Sequence, residues 1–193
     1  RRLAEKLGAE MEVLNLGSAV LDTKVSSNPP DRCYYCKKKI MGAIKEAAAR
    51  DGFDTILDGT NASDDAGDRP GMKALGEMKI LSPLRICGLT KDEIRRLSKE
   101  ENLFTWDKPA YACLATRIPA GVAISPEILR KVEKAESALM DMGFSDLRVR
   151  VFGGGARLQL KESQMADALN KREEIVKALK PFFNEILLEM EAR

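Results

Sequence analysis

Apolar residues recur along this chain with two periods, and the order in which the periods appear predicts an architecture. Residues 1 to 8 read as the end of a helix stopped at Gly8, and Met11 to Leu16 as a strand. After a loop rich in Ser, Asn and Pro, a helix is expected from about Tyr35 to Arg50, because Ile40, Ala43, Ile44 and Ala47 fall at i, i+3, i+4 and i+7 on one face. Thr55 to Leu57 read as a short buried strand that breaks into the polar loop "DGTNASDD". Residues 64 to 78, with Pro70, Gly71 and Gly76, read as loop, and "KILSPL" as another strand. Thr90 and Glu93 stand in the spacing of a capping box, with Ile94 and Leu97 opening the buried face of the helix that follows. Strands alternating with helices predict a parallel α/β sheet, with ligands beyond the carboxyl ends of its strands.

The period changes near Pro119 to Ala123. Ser125 caps a long helix with Pro126 in its first turn, and Ile128, Val132, Ala135 and Leu139 form its apolar face. "LRVRVFGGGARLQL" then alternates strictly on both sides of a triple glycine. Leu147, Val149 and Val151 share one face and Arg148 and Arg150 the other, the pattern of an antiparallel hairpin. A helix near 163 to 179 and a last strand near 185 to 190 complete a small α+β unit. Two domains are therefore expected, 1–122 and 123–193.

Composition narrows the chemistry. The chain has 193 residues, 44% hydrophobic, with 32 basic residues nearly balanced by 30 acidic ones. That balance does not favour a nucleic-acid partner. No apolar run approaches the roughly 20 residues that cross a bilayer, so no membrane partner is expected and the cytoplasm is the expected location. Histidine is absent, which removes imidazole bases and His metal ligands. Four cysteines, at 33, 36, 87 and 113, are too sparse for a secreted disulfide framework and read better as ligands or catalytic thiols.

Three constellations carry candidate chemistry. Cys33-x-x-Cys36 is a dithiol or half of a metal site. Cys87, in the apolar "LRICGL", reads as a small core residue at a strand end, which leaves Cys113 in "YACLATR" as the third thiol. Three thiolates suit a [4Fe–4S] cluster with one iron open; a small buried hydrophobe is an equal reading of Cys113. In "LDGTNASDD", Gly59, Thr60 and Asn61 can offer donors to a phosphate, with Asp64 and Asp65 on Mg²⁺, although a capped polar turn explains them equally well. Arg148 and Arg150, with Arg157 across the hairpin, make a clamp for phosphate or carboxylate, or simply the solvated outer face of a sheet, which base rates favour. Glu133, Glu136 and Asp167 read as solvent-face carboxylates of helices.

Taken in order, "NPPDRCYYCK", "LDGTNASDD…DRPGMKAL", "SPL…GLTKDEIRRLS" and "TWDKPAYACLATRIP" resemble the LarE family of ATP-dependent sulfur transferases, in the PP-loop superfamily. "AESALMDMGFSDLRVRVFGGGARLQL" resembles that family's second domain. The resemblance implies a PP-loop parallel sheet with a small C-terminal α+β domain. It also implies adenylation of a carboxylate on a pyridinium dicarboxylate mononucleotide, followed by replacement of the activated oxygen with sulfur, in nickel-pincer cofactor synthesis. Some members sacrifice a cysteine, here Cys113, leaving dehydroalanine. Others hold a [4Fe–4S] cluster on three cysteines and pass on a sulfide from its open iron; Cys33, Cys36 and Cys113 occupy those positions, which favours the cluster route. Arg148 and Arg150, with Arg117, Glu136 and Asp167, would hold the anionic mononucleotide, and Gly59, Thr60, Asn61 and Asp64 would serve ATP and Mg²⁺. The family's Ser-Gly-Gly-x-Asp-Ser loop is absent and the chain opens without Met, so a preceding segment is expected. A homo-oligomer is expected on general grounds. The alternatives are a PP-loop tRNA thiolase and a non-catalytic metal-binding module.

Overall fold

A computed structural model describes residues 1–17, 22–64, 69–109 and 111–193. The chain divides into two compact units. One comprises Arg1–Val25 and Asp31–Lys108; the other comprises Ser26–Pro30 and Pro109–Arg193. The molecule is mixed α/β.

The first unit is mainly helical. Helix α1 (Arg2–Leu7) ends at Gly8 in the left-handed conformation, φ 62°, and a short α2 (Thr23–Ser26) follows. Helix α3 (Arg32–Arg50) starts three residues earlier than the apolar period suggested, which places Cys33 and Cys36 in its first two turns. Helix α4 (Pro70–Glu77) occupies much of the segment expected to be loop: Pro70 lies in its first turn, where a missing N–H costs nothing. Met41 of α3, Leu75 of α4 and Ile80 form the core here, with Ile44, Ile56, Met72 and Met78 packed around them.

The expected strands of this unit are reduced to one isolated parallel bridge, Leu57 with Leu81. Residues 11–16 have no strand pairing, and Leu57, expected to be buried, is 59% exposed. An extended segment becomes a strand only when a neighbour takes its N–H and C=O groups, and period alone does not supply that neighbour. Pro83 then starts a single helical turn, α5 (Pro83–Ile86), which ends "KILSPL" as a strand. Cys87 closes that turn in an exposed position, not in the core. Helix α6 (Lys91–Glu100) has its capping box, Thr90 and Glu93 each satisfying the other's backbone. Its expected inner face is open, however, with Leu97 39% exposed.

The second unit follows its pattern closely. A 3₁₀ turn (Leu114–Arg117) leads to α7 (Pro126–Asp141), capped by Ser125, whose side chain accepts from the Ile128 N–H. Strands β1 (Arg148–Phe152) and β2 (Gly155–Gln159) form the expected antiparallel hairpin, with Arg150 opposite Arg157. The expected single helix is two, α8 (Glu162–Asn170) and α9 (Arg172–Leu179), separated at Lys171. Strand β3 (Ile186–Leu188) joins β2 in parallel, giving the order β1-β2-β3. Val132, Ala135 and Leu139 of α7, Val149 and Val151 of β1, Leu158 of β2, and Ile175 and Leu179 of α9 fill the core. No helix among the described residues is long and apolar enough to cross a membrane.

Candidate functional site

The second unit gathers an arginine cluster on the face of β1 that period-2 alternation sets opposite its core. This face is not solvated, as base rates suggested. The 3₁₀ turn packs against β1, Arg148 is only 7% exposed, and Arg150 is half-buried. Arg117, at the end of that turn, is 1% exposed and Glu136 of α7 is 0% exposed. Arg117 donates through Nε to Glu136 at 2.7 Å and through Nη2 at 3.2 Å. Its Nη1 donates to Thr116 Oγ1 at 2.8 Å. Glu136 also accepts the Val149 N–H at 2.9 Å, so one carboxylate ties the turn, the helix and the strand together.

Glu136 is the correction that period could have supplied. Its place among the helical carboxylates suggests a solvent face, yet 132, 135, 136 and 139 are themselves an i, i+3, i+4, i+7 set. The carboxylate therefore sits on the apolar stripe, where burial demands partners. Tyr111 went unremarked. Tyr111 is half exposed, and partial burial, then a hydrogen bond to Glu136 and that carboxylate's charge, push its pKa up to about 12. Its ring lies 5.5 Å from the Arg117 guanidinium.

Arg150 donates to Gln159 Oε1 at 2.6 Å and to the Thr116 carbonyl at 3.0 Å. Arg148 donates to the Leu147 carbonyl at 2.7 Å. Asp146 stands 3.9 Å from Arg148 and is shared with Lys161 and Arg193. Cation therefore outnumbers carboxylate in this cluster. Burial, and then repulsion from Arg117, lower the pKa of Arg148 from its usual value. Cys113 immediately precedes the turn; its carbonyl accepts from Thr116 Oγ1 at 2.7 Å and its thiol is exposed. The arrangement offers an anion a half-buried positive face on the segment that carries a thiol. Arg157 faces Glu189 instead, at 3.6 Å. Asp167 lies on α8, paired with Lys171 at 3.0 Å.

The first unit holds the other candidates. Cys33 and Cys36 lie one turn apart on α3; Cys33 is exposed and Cys36 half-buried. Among the described residues, no three His, Cys, Asp or Glu side chains gather into a set that could hold a metal. The loop after Leu57 is organised by Asp58, which the sequence reading passed over. Asp58 accepts the Thr60 hydroxyl at 2.6 Å, the Thr60 N–H at 3.2 Å and the Ser82 hydroxyl at 2.6 Å. Partial burial opposes its ionisation, but these three donors outweigh burial and hold it below the usual carboxylate range. An Asp bonding two residues ahead is an Asx-turn, and D-x-T was its visible signal. Asn61 donates its N–H to Asp64 at 3.0 Å, and Arg85 donates to the Asp64 carbonyl at 2.5 Å. Gly59 has open space where a Cβ would stand. Asp65 lies outside the described residues.

No family model matches the chain. Three proteins are similar to it. An uncharacterized Methanocaldococcus jannaschii protein, MJ0830, is 32% identical over 186 residues, covering 96% of this chain and 72% of that protein. The chain belongs to the same family as this archaeal protein. An uncharacterized Synechocystis protein, slr1717, is 36% identical over 140 residues, covering 72% of this chain and 52% of its own length. A Lactiplantibacillus plantarum relative named pyridinium-3,5-bisthiocarboxylic acid mononucleotide synthase is 34% identical over 167 residues, covering 86% of this chain and 60% of the synthase. The chain thus spans between half and two thirds of the length of these last two members of the family.

Proposed function

We propose that this protein is an ATP-dependent sulfur transferase of the LarE type, built on a PP-loop domain. It converts a carboxylate of a pyridinium dicarboxylate mononucleotide to a thiocarboxylate for nickel-pincer cofactor synthesis. The observation that carries this reading is the half-buried arginine cluster on the unit that contains Cys113: it suits an anionic small molecule, and Arg150 donates to the Thr116 carbonyl, three residues after that thiol. The Lactiplantibacillus relative is named for a pyridinium mononucleotide with two thiocarboxylic acid groups, whose phosphate and thiocarboxylates make it anionic, and an anionic ligand of that kind supports this reading of the face.

The chemistry balances. A substrate carboxylate oxygen attacks the α-phosphorus of ATP and pyrophosphate leaves. A sulfur nucleophile then adds to the acyl carbon of the adenylate, and AMP departs with the original oxygen. ATP and Mg²⁺ are assigned to Gly59, Thr60, Asn61 and Asp64. Arg148 and Arg150 offset the mononucleotide's charge. Arg117 and Glu136 shape the turn beneath it.

Cys33 and Cys36, one helical turn apart on α3, with Cys113 as the third thiolate, are the residues that would hold a [4Fe–4S] cluster in this reading. When bound, such a cluster supplies an iron open to an exogenous sulfur ligand. Sacrificial use of Cys113 is a second reading, favoured because Cys113 is the thiol on the same unit as the arginines.

The test is anaerobic turnover of the purified protein with ATP, Mg²⁺, the dicarboxylate mononucleotide and sulfide. Expected are AMP, pyrophosphate and a product in which sulfur replaces oxygen, with Arg148→Ala and Arg150→Ala raising the substrate concentration required. Absence of AMP and pyrophosphate would sink the adenylation. Turnover that strips hydrogen sulfide from Cys113 would select the sacrificial route.

A further inference from the structure

Within the second unit, Tyr111 combines two properties that rarely go together. Its ring lies over the guanidinium of the buried Arg117, 5.5 Å from centroid to carbon, yet the residue is half exposed. A flat side chain with one face on a buried group is open through its edge and its other face. It is also held in place. Its hydroxyl is bonded to Glu136, the carboxylate that grips Arg117. The Ala112 carbonyl beside it accepts from Arg117 Nη1 at 3.4 Å, and the Cys113 carbonyl accepts the Thr116 N–H at 2.9 Å. Arg148 feels the charge of Tyr111 as well as those of Arg117 and Glu136, so the phenol borders the arginine cluster.

An open, fixed aromatic face beside arginines selects what neither group selects alone. Guanidiniums attract phosphate and carboxylate on any ligand. An aromatic face takes a flat ring, and its quadrupole favours one that carries positive charge. A phenol that donates to a carboxylate is polarised towards a more electron-rich ring, which strengthens that preference. The substrate proposed above joins a cationic ring to anionic groups, and arginines by themselves would repel its ring.

We propose that Tyr111 is a specificity-determining residue of the arginine site: its open face stacks on a pyridinium ring while Arg148 and Arg150 take the anionic groups of the same molecule. The identity of the ring rests on the function proposed above, whereas the open aromatic face does not.

Calorimetric titration of the full chain with nicotinic acid mononucleotide, its 1,4-dihydro form and ribose 5-phosphate tests this. The dihydro form lacks the ring's positive charge, so arginines alone would bind it more tightly than the pyridinium. The expected result is the reverse, a preference of about three- to tenfold for the pyridinium. Tyr111→Leu should abolish that preference, and Tyr111→Phe, which keeps the ring, should retain it. A tyrosine that merely covers Arg117 would give no such ratio, and the wild-type ratio stands even if a variant fails to fold. Equal or tighter binding of the dihydro form by wild type overturns the proposal. So does a preference that survives Tyr111→Leu or is lost in Tyr111→Phe. In each of these cases the mononucleotides still bind, and the arginine site stands. If ribose 5-phosphate and both mononucleotides all fail to bind, the arginine face takes no phosphate, and the proposed function falls together with this inference.

Discussion

At the scale of single residues, Glu136 shows how much one buried carboxylate can organise. It accepts from Arg117, from the Val149 N–H and from Tyr111, with no solvent to share the charge. Removing one partner of such a pair strands the other charge, so Arg117→Met or Glu136→Met should each cost about 3–5 kcal/mol. The double variant should recover much of that loss, and urea unfolding of the four proteins closes the cycle. Fully additive losses would show that the pair does not act as a unit. Tyr111 gives the same network a pH signature. Its folded pKa lies above its unfolded value near 10, so its contribution to stability is complete below pH ~10 and is lost as pH rises towards 12. Tyr111→Phe should remove that alkaline component, and phenolate absorbance of the wild type should show a tyrosine titrating near pH 12.

Among the elements, the hairpin β1-β2 is the one the sequence declared most fully, because strict alternation around glycine leaves few other solutions. The three glycines are not equivalent. A Cβ on Gly155 would stand 2.8 Å from the Glu185 carbonyl oxygen, a backbone atom beside the β2–β3 pairing, whereas one on Gly154 meets only the Asn184 side chain at 3.7 Å. Gly155→Ala should therefore destabilise by about 1–3 kcal/mol and loosen β3, while Gly154→Ala should be mild; thermal unfolding and exchange at β3 amides check the contrast. The capped starts of α6 and α7 were equally legible, since a cap is a local device. The bridge Leu57–Leu81 was not, because pairing depends on a neighbour 24 positions away. Helix α4 hid behind Pro70, Gly71 and Gly76, residues that period analysis reads as breaks although Pro suits a first turn. In the candidate site, Arg148 and Arg150 were visible as a face. What covers that face, the turn carrying Arg117 and Thr116, comes from more than thirty positions away and has no periodic signal.

For the whole molecule, the division into units does not follow chain order, because Ser26–Pro30 belongs with Pro109–Arg193. A fragment of residues 109–193 would keep α7, the three strands and the core around Leu139 and Val149, which are built within it. It would lose the donors and acceptors that Ser26 and Asn28 supply to residues 118–124. Backbone groups deprived of partners turn to water, and the loop holding them opens first. The fragment should therefore protect β1 and β2 amides about as well as the full chain does, while Gly121 and Ile124 exchange rapidly. A synthetic peptide of residues 22–31 should restore protection at those two amides, and the same peptide with Asn28→Ala should not. Equal protection of Gly121 and Ile124 with and without the segment would mean that the second unit is complete in its contiguous part. Rapid exchange throughout the strands would mean that the borrowed segment holds the core itself as well as the loop.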